Sequence, residues 1–152
     1  MSSHKIFDND GNLKASILRS RKIIKHLVTC PWLLEFASSK TQDNFRVVNL
    51  AVKHQGFALQ YASSRLKKDK EIVASAVKDS EYAFLFADGS LHKDIDFCLH
   101  ILKLNPNVYP LMHEKLKNSI RLIARAIRGN PVIYKDVPSE YVFKSSQLKR
   151  LV

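Results

Sequence analysis

What most constrains this chain is a self-similarity that returns every 25 residues. The segments Val47-Val48-Asn49-Leu50-Ala51-Val52, Ile72-Val73-Ala74-Ser75-Ala76-Val77, Phe97-Cys98-Leu99-His100-Ile101-Leu102 and Leu122-Ile123-Ala124-Arg125-Ala126-Ile127 superpose without a gap when shifted by that interval. Apolar residues at i, i+1, i+4 and i+5 lie along one stripe of an α-helix, whereas a strand would send neighbours i and i+1 to opposite faces. Each segment therefore reads as a helix. Three residues before each stripe stand Asn44, Asp69, Asp94 and Ser119. All four carry side chains that accept hydrogen bonds from the free N–H groups of a first helical turn, so the helix starts are marked independently.

A second punctuation follows each stripe, at Cys30-Pro31, Gln55-Gly56, Ser80-Glu81, Asn105-Pro106 and Asn130-Pro131. Asn then Pro suits an N-cap followed by the first helical position. The spacing predicts a shorter second helix with apolar residues Leu33, Leu34, Phe36 and Ala37 in one unit. Ala58, Leu59, Tyr61 and Ala62 follow in the next, then Ala83, Phe84, Phe86 and Ala87, then Val108, Tyr109, Leu111 and Met112, then Ile133, Tyr134 and Val137. Leu66, Leu91, Leu116 and Tyr141 close the units. With only 4 Gly and 5 Pro and 45% hydrophobic residues, helix formers outnumber turn residues, and the length suits one domain. The expected fold is all-α, a short α-solenoid of about five 25-residue helical hairpins at roughly 19–43, 44–68, 69–93, 94–118 and 119–143. A longer N-terminal capping helix carries the stripe Leu13, Ile17, Ile24 and Leu27 behind a cap at Asn12, and a basic tail occupies 144–152. In the last unit Asp136 stands where Tyr61, Phe86 and Leu111 stand earlier, as a terminal repeat facing water requires.

The run Gly56-Phe-Ala-Leu-Gln-Tyr-Ala-Ser-Ser-Arg-Leu-Lys-Lys-Asp69, continuing into Lys-Glu-Ile-Val-Ala-Ser-Ala-Val-Lys, resembles a helical repeat family of unknown function common in effectors of Legionella and related intracellular bacteria. The wording A-V-x-x-x-G-x-A-L-x-Y-A-S-x-x-L-K-x-D is nearly complete over 44–93, while 94–143 keep the spacing and lose the Gly and the Tyr-Ala-Ser. The resemblance implies a helical repeat protein of the kind delivered into a host cell, and it supplies no catalytic residues.

Lys and Arg number 25 against 14 Asp and Glu, a formal +11, so the field of the folded chain attracts anionic partners. Lys53, Lys78, Lys103 and Arg128 share one register position near the end of each first helix. With helices about 8–10 Å apart, they would span roughly 25–30 Å. Lys67, His92 and Lys117 form a second row, Lys68 and Lys93 a third, and Arg121, Arg125 and Arg128 the densest local patch. A cation at a helix C-terminus also complements the macrodipole, which accounts for these residues singly but not for the overall excess. The aromatic residues are read mostly as core, which argues against a reader of single-stranded nucleic acid.

Chemistry-bearing motifs are absent. Cys98 shares its register with Val48, Val73 and Ile123 and reads as a buried apolar residue; Cys30 and His26 lack further ligands at a metal-type spacing. The Asn-Pro-x-x-Tyr runs ending at Tyr109 and Tyr134 sit one repeat apart and read as helix caps with a packed tyrosine. No phosphate-binding loop, nucleophile elbow or zinc-protease motif occurs. Two distant cysteines suit a reducing compartment, and no window has the length or apolarity of a signal peptide or a membrane span. The expectation is a cytoplasmic, non-catalytic scaffold without metal or cofactor that binds an acidic protein or an anionic lipid surface, and the resemblance adds that it acts inside a host cell. Nucleic acid is the alternative partner.

Overall fold

A computed structural model describes residues 30–142, and every element among them is helical. Four ten-residue helices carry the repeat: α1 (Phe45–His54), α2 (Lys70–Asp79), α3 (Ile95–Leu104) and α4 (Ile120–Gly129). The proposed capping helix with its Asn12 start, and the basic tail at 144–152, lie outside the described residues.

The helix starts follow the caps. Asn44 accepts from the Arg46 and Val47 amides, Asp69 from Glu71 and Ile72, and Asp94 from Phe97. Ser119 occupies the same position in extended geometry but makes no side-chain cap bond, so the fourth cap expected from the spacing is a cap by backbone only. The predicted stripes face inward: Val48, Ala51, Val52, Ile72, Val73, Ala76, Val77, Phe97, Cys98, Ile101, Leu102, Leu122, Ile123 and Ala126 are all buried.

The second helix of each hairpin differs from the expectation. It is a six-residue 3-10 helix: η1 (Pro31–Phe36), η2 (Gly56–Tyr61), η3 (Glu81–Phe86), η4 (Pro106–Leu111) and η5 (Pro131–Asp136). A one-turn segment follows each, at Ser39–Gln42, Ser64–Lys67, Leu91–Lys93, Glu114–Lys117 and Ser139–Val142. With three residues per turn, positions three apart eclipse one another, so the inward row is Pro31, Leu34 and Ala37, or Gly56, Leu59 and Ala62. The second residue of each 3-10 helix then points out. Trp32, Phe57 and Tyr82 are consequently 48%, 39% and 50% exposed, and Phe36 is exposed as well. The α-helical period expected Phe36, Tyr61, Phe86, Tyr109 and Tyr134 to face inward; Tyr109 is buried, whereas Phe36 and Tyr134 are exposed and Tyr61 and Phe86 half-buried.

The chain divides into two compact units, the first ending at Phe86 and the second beginning at Ala87. In the first, α1 lies against α2 while η1, η2 and η3 line up as neighbours over them. In the second, α3 lies against α4, with η4 and η5 in contact with them. The first unit is held closely where Gly56 meets α2: a Cβ there would stand 2.3 Å from the Ala76 carbonyl oxygen. The Gly56 amide donates to the Asp79 carboxylate at 2.7 Å, closing the junction. Nearby, Asp43 accepts from the Ser63 hydroxyl and from Arg65 Nε at 3.0 Å, and these two bonds, the serine first, hold its carboxyl below the usual range.

Candidate functional site: an arginine-lined groove

The predicted basic residues separate into three environments. Lys53, Lys78, Lys103 and Arg128 are exposed in the last turns of α1, α2, α3 and α4, two in each compact unit. Lys67, His92 and Lys117 are half-buried on the one-turn segments. Lys117 is engaged locally, its ammonium 2.8 Å from Glu114 and its backbone carbonyl accepting from the Tyr109 hydroxyl at 2.9 Å. His92 sits on a 3-10 turn that follows the Asp88-Gly89-Ser90 bend, where the other units have an α-helical turn, so the second row is not uniform.

The third environment brings residues together. Arg121, Arg125 and Arg128 stand at i, i+4 and i+7 on α4, which places them on one helix face. With Leu99 and His100 of α3, and with Ile120 and Ala124, they line an open groove of about 420 Å³ that lies wholly in the second unit. Its lining holds three guanidinium groups and an imidazole over apolar carbons, and no carboxylate. Like charges at i, i+4 cost a helix a few tenths of a kcal/mol. Arg121 also sits in a first turn without acidic residues, at the positive end of the helix dipole. The macrodipole that explains Lys53, Lys78 and Lys103 therefore works against Arg121. Leu99 and His100 were not among the sequence candidates, yet the register carried a signal: His100 and Arg125 occupy the same repeat position, where earlier units have Leu50 and Ser75.

The two cysteines stand in different surroundings. Cys98 is fully buried, its thiol faces the Leu91 carbonyl at 3.6 Å, and burial, with the nearby Asp94 charge, pushes it up to about 11. Cys30 is half-exposed at the cap of η1 without a side-chain cap bond, and His26, four residues before it, lies outside the described residues. Tyr109 is buried as read, and burial raises its hydroxyl to about 12. Tyr134, its counterpart one repeat on, is 40% exposed. Among the described residues no group of three or more His, Cys, Asp or Glu is placed to hold a metal ion, and no helix is long and apolar enough to cross a membrane.

Capped helices recurring in one register, joined by 3-10 turns, define an all-α helical repeat protein. The profile of the family described as Domain of unknown function (DUF4116) matches three overlapping stretches, residues 20–67, 44–92 and 69–117. The chain belongs to that family. No curated protein and no solved structure matches it.

Proposed function

We propose that this protein is a non-catalytic binding scaffold that engages an acidic protein surface through the groove between α3 and α4. The observation that carries the reading is the groove lining: Arg121, Arg125, Arg128 and His100 around Leu99, Ile120 and Ala124. Guanidinium groups pair with carboxylates in bidentate fashion, and the apolar floor rewards a partner that brings aliphatic side chains between its carboxylates. A phosphate backbone has the charge but lacks those side chains. Lys53, Lys78 and Lys103 add long-range attraction to anions, consistent with the formal +11. We further propose, from the likeness to repeat proteins of intracellular bacteria, that the scaffold acts as an effector in the cytoplasm of a host cell, with an anionic lipid surface as a second kind of contact. The 25-residue hairpin is proposed as the building unit of the family, each profile match spanning about two of them.

The test uses three probes on the intact chain: an acidic amphipathic 20-residue helix, an oligothymidylate of equal charge and phosphatidylserine vesicles. Binding is followed by anisotropy or cosedimentation from low to high salt. The reading expects the acidic helix to keep most of its affinity at high salt, because apolar contacts are not screened, while the oligonucleotide loses it steeply. Oligonucleotide affinity that outlasts that of the helix would contradict the proposal in favour of nucleic acid.

A further inference from the structure

The first compact unit exposes a feature that the arginine groove does not use. On η1, η2 and η3 the outward rows are Trp32 and Glu35, Phe57 and Gln60, and Tyr82 and Leu85, with Phe36 and Phe86 beside them. Leu85 is 53% exposed, so the strip is apolar as well as aromatic. The rings are ordered against one another. Phe57 and Tyr82 lie nearly parallel, 21° apart with centroids at 6.4 Å; Phe86 meets Phe57 edge-on at 5.9 Å, and Phe36 meets Trp32 edge-on at 6.1 Å. Desolvation and the neighbouring Glu35 carboxylate of η1 raise the Tyr61 hydroxyl of η2 above its ordinary range. A run of exposed rings repeated through three consecutive units is not required by the core, which is closed beneath it by Leu34, Leu59 and Phe84.

The charge of this strip is opposite to that of the chain. In a sequence of formal +11, the three 3-10 helices of this unit contain Glu35 and Glu81 and no Lys, Arg or His. We propose that the strip is a docking surface for an extended, arginine-bearing peptide segment of a partner protein. A guanidinium is flat, lies on aromatic faces and pairs with carboxylates, so it fits both features the strip offers. Alternate side chains of an extended chain stand about 6–7 Å apart, which matches the 6.4 Å ring spacing of Phe57 and Tyr82. Arginines on one side of such a peptide would stack on successive rings, with one end of the segment beside the exposed Glu35 and the half-buried Glu81 adding negative charge at the start of η3. Nucleic acid could stack on the same rings, but its phosphates would meet those two carboxylates instead of cations.

Trp32 is the single tryptophan of the chain, so its fluorescence reports this strip directly. The probe is an acetylated, amidated decapeptide of alternating threonine and arginine, compared with the same peptide carrying citrulline, which keeps the shape and loses the charge. The expected result is a saturable change in Trp32 emission with the arginine peptide and about tenfold weaker binding with citrulline. Phe57→Ala, Tyr82→Ala and the double variant Glu35→Gln/Glu81→Gln should each weaken binding by about fivefold or more, whereas Lys115→Ala, an exposed cation of the second unit, leaves it unchanged. The glutamine pair alters charge without removing a ring, so it decides the matter if a ring variant folds poorly. Equal affinity for the two peptides, or unchanged affinity in the glutamine pair, would overturn the proposal. So would a saturable Trp32 response to a ten-residue oligothymidylate that Phe57→Ala abolishes, which would make the strip a base-stacking surface.

Discussion

At the scale of single residues, the repeat makes each position its own control, because the same place recurs with different side chains. Gly56 stands where the other units have Pro31, Glu81, Pro106 and Pro131, and the Ala76 carbonyl beside it belongs to helix backbone that cannot give way. Gly56→Ala should therefore cost about 1–3 kcal/mol in denaturant unfolding, an overpacking effect. Asn49 presents the opposite case: its Oδ1 is buried without a hydrogen-bond partner, at the position held by Ala74 and Ala124. Asn49→Ala is expected to raise stability by about 1 kcal/mol, and a loss of stability would show that the amide is satisfied. Cys98 ties stability to alkaline pH. Its folded thiol keeps the proton up to about 11 against an ordinary 9.0, so this contribution is complete below pH 9 and is lost as pH rises through 11. Cys98→Val, which restores the residue type of Val48 and Val73, should flatten the fall in stability across that window relative to the wild type.

At the scale of elements, the caps rank the helices. Asp69 accepts two first-turn amides, at 2.9 and 3.1 Å, while Ser119 accepts none through its side chain. Asp69→Ala should cost about 0.5–2 kcal/mol, and Ser119→Ala markedly less. The ten-residue helices were legible in the sequence because cap and stripe are both local signals: four residues fix a start, and i, i+4 neighbours fix a face. The 3-10 character of Gly56–Tyr61 and its counterparts was not legible in the same way. Within a six-residue segment, periods of 3.0 and 3.6 differ by less than one position, so Leu34 and Ala37 satisfy either. Only the outward second residue tells them apart. Trp32, Phe57 and Tyr82 recur at that place, and their spacing was the available clue that large rings were being kept on the surface. The groove was half legible: Arg121, Arg125 and Arg128 follow from helical spacing on α4, whereas Leu99 and His100 depend on how α3 packs against it, which no local pattern encodes.

At the scale of the whole molecule, the excess of cations could act as a diffuse field or through one built site. A field depends on the net charge alone, whereas a groove depends on where the guanidinium groups sit. Reversing Arg121, Arg125 and Arg128 to Glu, or reversing Lys53, Lys78 and Lys103 to Glu, changes the net charge by the same amount. The decisive measurement is the affinity of the acidic amphipathic helix for these two variants at one salt concentration, with far-ultraviolet circular dichroism confirming that both remain helical. The account predicts that the arginine variant loses binding by more than about tenfold relative to the lysine variant. Equal losses in the two would contradict it, and would reduce the basic character of the chain to a general field.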